Sequence, residues 1–199
     1  MVWNGVAPER YNPNTYKPED VEKIRDKYDI KKDERIVFFL GRLTWVKGIR
    51  NLIQAMPLIL KEYPKIRLII LGKGEEQKDI AETVNRTGIK DKVVCRFEFV
   101  PEEERIQHYA TADVCIFPSV YEPFGIVSLD AMSMAKPVVV GANGVVGFRE
   151  QVIPSGPDQN GIYVNGDNPA DIAWGVKEVL DARAFCSQIF PEENLSWNV

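Results

Sequence analysis

The chain has 199 residues, of which 45% are hydrophobic, and its formal net charge is −4. This length and composition suffice for one domain with a buried core and exclude a purely disordered role. Charges of both signs are interspersed, so no basic surface is available to release counterions from a nucleic-acid backbone. No nucleic-acid partner is therefore expected.

Cysteines and hydrophobic runs indicate the expected environment of the chain. The cysteines Cys95, Cys115 and Cys186 are odd in number and far apart, which predicts neither a disulfide framework nor a zinc site. A reducing, cytoplasmic setting follows, and the single histidine, His108, is interpreted as a half-exposed helix residue. No run reaches the roughly 20 apolar residues of a membrane span, and residues 1–16 lack a signal-peptide core. We expect a soluble chain.

Helical and strand patterns alternate along most of the sequence. Residues 1–20, rich in Pro, Asn and Tyr, predict an ordered arm or linker. After it, amphipathic helical patterns alternate with apolar runs of the kind found in strands buried on both faces. In chain order, the pattern predicts a helix from Asp20, strand Ile36–Leu40, a helix from Gly48 to Tyr63, strand Ile66–Leu71, helix Glu75–Thr87, a weaker strand Val93–Phe97, helix Pro101–Ala110, strand Val114–Phe117, helix Ile126–Ala135, strand Pro137–Val140 and helix Pro169–Leu180.

This alternation predicts an α/β fold, a single doubly wound parallel sheet of the Rossmann type over residues 21–180. Beyond Leu180 the helical pattern fails, so residues 181–199 are expected to form a tail. Ligands of such sheets bind beyond the carboxyl ends of the strands. The loops that leave the predicted strands are therefore the candidate site.

The loop after the first strand, Gly41 to Gly48, brings two cations towards the start of a helix. Its glycines permit close backbone approach, while Arg42 supplies a planar fork of donors and Lys47 a mobile point charge. This chemistry suits a diphosphate, because both cations can offset negative charge on a leaving group. The alternative, a pair of solvated cations, remains open from spacing alone.

The loop after the second strand is less informative. Gly72 and Gly74 begin a GxGxxG-like pattern, but Gln77 stands where the third glycine of the dinucleotide fingerprint would be. A simple glycine turn is the better interpretation. A nicotinamide oxidoreductase, which would need that fingerprint, is the least favoured class of function.

The loop before the helix at Ile126 places two carboxylates around a helix N-terminus. Glu122 precedes a proline and lies in extended backbone, whereas Asp130 lies within the helix. Free backbone N–H groups of Gly125, Ile126 and Val127 could hold a phosphate, with the carboxylates accepting hydrogen bonds from sugar hydroxyls. Spacing alone also allows a plain loop acid and a charge favourable to the helix dipole.

Together these loops resemble the C-terminal domain of retaining glycosyltransferases of the GT-B architecture. GRLTWVKG at residues 41–48 is similar to the glycogen and starch synthase motif built around LTWxKG. FPSVYEPFGIVSLDAM at residues 117–132 is similar to the E-x7-E segment of those synthases and related retaining transferases. NGV at residues 4–6 resembles the segment where such chains enter this domain.

The resemblance implies roles for matching residues. Arg42 and Lys47 fall on the positions that grip the donor diphosphate, and Glu122 falls on the acid beside the donor sugar. Backbone contacts beside Glu122 would come from Gly125, Ile126 and Val127.

Asp130 departs from the family pattern. Asp130 takes the place of the second glutamate, which binds ribose hydroxyls; aspartate is one methylene shorter, so that contact could be lost, mediated by water or made after a small helix shift. Gly41 and Gly74 would line the donor cleft.

The implied reaction moves a hexosyl group, with ADP-glucose or UDP-glucose favoured as donor, to a glycan acceptor with retention of configuration. Neither cofactor nor metal is expected, because the cations take the part of a divalent ion. A second domain would bind the acceptor, so the chain alone should transfer poorly or not at all. A mannosyltransferase and a non-catalytic nucleotide- or glucan-binding module remain alternatives.

Overall fold

A single parallel sheet forms the centre of the molecule in the computed structural model, which describes residues 7–189. The strands are β1 (Arg35–Leu40), β2 (Ile66–Leu71), β3 (Val93–Arg96), β4 (Val114–Phe117), β5 (Val138–Gly141) and β6 (Gly161–Val164). They lie in the order β3-β2-β1-β4-β5-β6, and all neighbours are parallel. The predicted α/β class with a doubly wound parallel sheet is confirmed.

Helices cover the sheet. They are α1 (Pro18–Lys27), α2 (Ile49–Glu62), α3 (Gln77–Arg86), α4 (Glu102–Thr111), α5 (Ile126–Ser133) and α6 (Pro169–Ile189). Helix α2 packs against α3 and α6, whereas α1 packs against α4. Every residue of β1 after Arg35 is buried, as expected for a strand covered on both faces.

The spacing of hydrophobic residues and the capping residue explain where two of the helices form. The apolar stripe of α2 is fully buried at Ile49, Leu52, Ile53 and Met56, which is the face that a helix packed on a sheet must hide. At the start of α6, the side chain of Asn168 accepts a hydrogen bond from the Ala170 N–H at 2.9 Å. That contact satisfies one of the otherwise free amides of the first turn.

The structure departs from the predicted elements at one strand and one helix end. Strand β6 was not predicted, because a four-residue edge strand that begins with glycine gives little signal. Helix α6 continues to Ile189 instead of ending at Leu180; Ala182 and Ala184 have high helix propensity despite the lost stripe. Residues 1–6, with the NGV segment, and 190–199 of the predicted tail lie outside the described residues.

His108 is buried, and the expectation of a half-exposed residue is wrong. Its ring stacks on Phe38, with centroids 5.7 Å apart, and Nε2 lies 2.8 Å from the Tyr28 hydroxyl. Its Nδ1 lies 2.6 Å from the Glu104 carbonyl oxygen. Burial lowers the pKa of His108 below its usual 6.5, because the charged form is poorly solvated there.

Candidate functional site

The strand order defines where a ligand would bind. The order in which the chain adds strands reverses at β1: β2 and β3 lie on one side of it, and β4, β5 and β6 on the other. In open α/β sheets the crevice beyond the carboxyl ends of the strands at such a switch point is the usual ligand site. The loops after β1 and β4, which carry the two motifs, meet at this crevice.

Backbone contacts hold these two loops together. The Val120 N–H donates to the Val46 carbonyl oxygen at 2.8 Å. Gly48 has φ +67°, and a Cβ there would collide with the Pro118 carbonyl oxygen. Glycine is therefore required both for the left-handed conformation and for the close approach of the loops.

A cavity of about 350 Å³ opens between the loops and contains the predicted charged groups. Arg42, Lys47 and Glu122 all line it, together with Gly41. Lys47 forms an ion pair with Glu122, and the two side chains are 21% and 10% exposed. Such partial burial makes the pair less screened than a surface pair.

Arg42 lies at the open side of the same cavity. Its side chain is exposed and forms no hydrogen bond or ion pair with another residue of the described part of the chain. Together with Lys47 and Glu122 it leaves the cavity with an excess of one positive charge. An unpartnered guanidinium beside a lysine that is already positioned suits an anionic ligand.

The N-terminus of α5 forms another wall. Gly125 is its N-cap with φ +86°, and a Cβ there would collide with the Phe148 ring. Gly125, Ile126 and Val127 line the cavity. Amides in the first turn of a helix have no intrahelical acceptor, so these N–H groups add donors and a partial positive charge.

A segment that the sequence analysis did not assign to the site supports the Glu122 turn. The backbone of Glu122 forms an isolated parallel bridge with that of Val146. The Glu122 carbonyl oxygen accepts from the Gly147 N–H at 2.7 Å, and the Glu122 N–H donates to the Val145 carbonyl oxygen at 3.1 Å. Gln151 donates from Nε2 to the Phe124 carbonyl oxygen at 2.7 Å. This segment fixes the backbone on which the carboxylate is carried.

Two of the predicted site residues do not line the cavity. Gly74 lies under the first loop, where a Cβ would collide with the Leu43 carbonyl oxygen. Asp130 lies one turn into α5 and is only 8% exposed. Its carboxylate forms no hydrogen bond with the described residues.

Burial raises the pKa of Asp130 to about 6, against the attraction of Arg105 and with a smaller contribution from Glu102. A carboxylate with poor solvation and no donor is held in its charged form at a cost. Strongly perturbed carboxyl groups near a cavity are candidates for function, although this one stands behind the lining residues.

Several lining residues carry no role in the sequence analysis. The cavity is also lined by Thr44, Ser119, Tyr121 and Pro123. All four lie within the two sequence motifs, which is the feature that could have predicted their place in the site. Within residues 7–182, whose side chains the structure describes, no group of His, Cys, Asp and Glu residues is arranged to hold a metal ion. None of the helices in that range combines the length and hydrophobicity of a membrane span.

The fold defines a Rossmann-like domain with a cavity at its topological switch point, where such folds usually bind their ligands. The chain belongs to the glycosyl transferases group 1 family, whose model matches residues 20–191. The chain spans about half the length of the curated relatives it matches, 45% of one and 47% of another. The resemblance to GT-B transferases is thereby confirmed.

Three relatives show the range of transferases to which this chain is similar. A glycosyltransferase of Methanocaldococcus jannaschii is 38% identical over 93% of this chain and 45% of its own length. A D-inositol 3-phosphate glycosyltransferase of Corynebacterium urealyticum is 29% identical over 99% of this chain and 47% of its own. A glycogen synthase of Mycobacterium tuberculosis is 31% identical over 73% of this chain and 34% of its own.

Among solved structures, sucrose-phosphate synthase from Thermosynechococcus elongatus superposes with a TM-score of 0.75 at 28% identity. The match covers 91% of this chain and 43% of that chain. This chain thus matches less than half of that structure.

Proposed function

We propose that the chain is the donor-binding domain of a retaining glycosyltransferase that moves a hexosyl group from a nucleoside diphosphate sugar to a glycan acceptor. The observation that carries the proposal is the convergence of Arg42, Lys47, Glu122 and the α5 N-terminus on one cavity at the switch point. The group 1 family membership supports the same reaction class.

The diphosphate is assigned to the cations. Transfer breaks the bond between the anomeric carbon and the terminal phosphate oxygen, so negative charge grows on the departing nucleoside diphosphate. Lys47, held by its ion pair with Glu122, and the amides of Gly125 to Val127 are donors set in place before that charge develops, which is how such stabilisation acts. The Arg42 guanidinium would add a further charged donor when the diphosphate binds. No divalent ion is needed for this step.

Glu122 and Asp130 are assigned to the rest of the donor. Glu122 already pairs with Lys47, so a bound phosphate would share the lysine with it and would bring the donor sugar beside the carboxylate. Asp130 is assigned to the ribose hydroxyls, through water or a small shift of α5, because it is not among the lining residues.

A glucosyl donor with an α-glucan acceptor is the favoured specificity, supported by the GRLTWVKG motif and the glycogen synthase relative. Transfer to a small phosphorylated acceptor is the second candidate, supported by the similarity over 99% of the chain to a D-inositol 3-phosphate glycosyltransferase. In either case the acceptor would be bound outside this domain.

Isothermal titration of the 199-residue chain with ADP-glucose, UDP-glucose and GDP-mannose tests the donor assignment. We expect binding of at least one glucosyl donor, with GDP-mannose weaker. Preference for GDP-mannose would favour the mannosyltransferase alternative. Absence of binding for all three donors and for their nucleoside diphosphates would contradict the proposed function.

A further inference from the structure

Thr44 has a hydroxyl group for which the protein offers no partner. The residue lies in the first loop between Arg42 and Lys47 and lines the same cavity. Its Oγ1 is shielded from solvent and forms no hydrogen bond within the described residues. It occupies the N-cap position of the short 3-10 helix Trp45–Lys47, yet its side chain makes no capping bond.

Local backbone groups are already occupied. The Thr44 N–H donates to the Arg42 carbonyl oxygen at 3.1 Å, and the Thr44 carbonyl oxygen accepts from the Lys47 N–H at 3.0 Å. The Val46 carbonyl oxygen accepts from the Val120 N–H at 2.8 Å. Among the described residues, none donates to or accepts from the Thr44 hydroxyl.

Shielded hydroxyl groups in folded proteins nearly always have a hydrogen-bond partner, and each exception calls for a physical explanation. An unmade bond at a shielded group opposes folding. Valine has the same shape without this cost, so a threonine at the wall of a ligand cavity is best explained by a partner that arrives with the ligand. Loss of stability in exchange for function is common at binding sites.

We propose that Thr44 is a further donor-binding residue whose Oγ1 donates a hydrogen bond to an oxygen of the nucleoside diphosphate. This inference rests on the proposed function. Because no bond holds the hydroxyl, rotation about the Cα–Cβ bond can turn it towards the cavity at no cost in hydrogen bonding. A phosphate oxygen is favoured over a sugar hydroxyl because Arg42 and Lys47 flank Thr44 on the same loop, and O–H···O⁻ bonds are strong.

The test compares Thr44→Val, which removes the hydroxyl and keeps the shape, with Thr44→Ser, which keeps the hydroxyl. Titration calorimetry with UDP, ADP, UMP and AMP measures affinity, and thermal unfolding without ligand measures stability. Thr44→Val should bind the diphosphates roughly tenfold more weakly, as expected for the loss of one bond to a charged group. Thr44→Ser should stay within about threefold of the wild type.

Stability should move in the opposite direction from affinity. Without ligand, Thr44→Val should unfold about 2–4 °C above the wild type, because the shielded group without a partner is gone. A purely structural threonine would give a lower Tm, so a drop in Tm overturns the inference. Thr44→Ala provides a second variant without the hydroxyl and should show the same loss of diphosphate affinity.

The inference and the proposed function fail in different ways. If the wild type binds UDP or ADP and Thr44→Val binds equally well, only the assignment of Thr44 is wrong. If the wild type binds no nucleoside diphosphate, both are wrong.

Discussion

Asp130 offers a test of the electrostatics of α5. The substitution Asp130→Asn keeps the shape of the side chain and removes its charge. The carboxyl group is buried, and its pKa is raised from the usual 3.8 to about 6. The groups that act on it are Arg105 and Glu102 of α4, and its charge in turn helps to raise the pKa values of Tyr11 and Tyr109.

The sign of the effect follows from linkage. The folded chain holds the Asp130 proton more tightly than the unfolded chain, so stability falls as pH rises from about 4 to about 6. The full difference corresponds to roughly 3 kcal/mol at 1.36 kcal/mol per pKa unit. Solvent screening of a carboxylate that is not wholly enclosed reduces the expected cost to about 1–2 kcal/mol.

Urea unfolding of the wild type and Asp130→Asn between pH 4 and pH 8 measures this cost. The variant should be more stable by about 1–2 kcal/mol at pH 8, and the gain should vanish towards pH 4. The difference between the two proteins removes the separate contribution of His108. The exposed Asp158→Asn serves as a control and should show no gain. A gain independent of pH, or a loss at pH 8, would refute the account of Asp130.

Two further substitutions test the support of the site. Gly125→Ala places a Cβ against the Phe148 ring at φ +86°, so the free energy of unfolding, measured in urea, should fall by about 2 kcal/mol or more; a change below about 0.5 kcal/mol would contradict the geometry. Gln151→Leu removes the hydrogen bonds to Phe124 and Ser128 and should cost about 1–3 kcal/mol, with weaker UDP or ADP binding by calorimetry. Unchanged stability and affinity would show that Gln151 does not support the turn.

Much of the sheet could be predicted from sequence because its strands are apolar throughout. Ile66–Leu71 and Val114–Phe117 are bounded in the structure as the pattern predicts. Strand β6 could not be found this way, since Gly161–Val164 is short and is recognisable as a strand only through its pairing with β5. His108 was misjudged for a similar reason, as its burial depends on α1 and β1 rather than on its own helix.

The site was predictable where it depends on strand order. Loops after two buried strands were expected to meet at one edge of the sheet, and Arg42, Lys47 and Glu122 do line one cavity. The support from Val146 and Gln151 could not be foreseen, because neither residue belongs to a sequence motif that links it to the Glu122 turn. The surroundings of Asp130 were equally hidden, since α5 is apolar around most of its circumference.

The most direct test of the central claim is the affinity of the chain for UDP and ADP after removal of each cation of the cavity. Arg42→Ala and Lys47→Ala should each weaken binding by roughly 10- to 100-fold. This is the loss of affinity expected when one hydrogen bond to a charged group is removed. Arg86→Ala and Lys61→Ala remove the same charges from exposed positions on α3 and α2 and should leave the affinity unchanged. If the cavity variants bind as tightly as these controls, the diphosphate does not lie between Arg42 and Lys47.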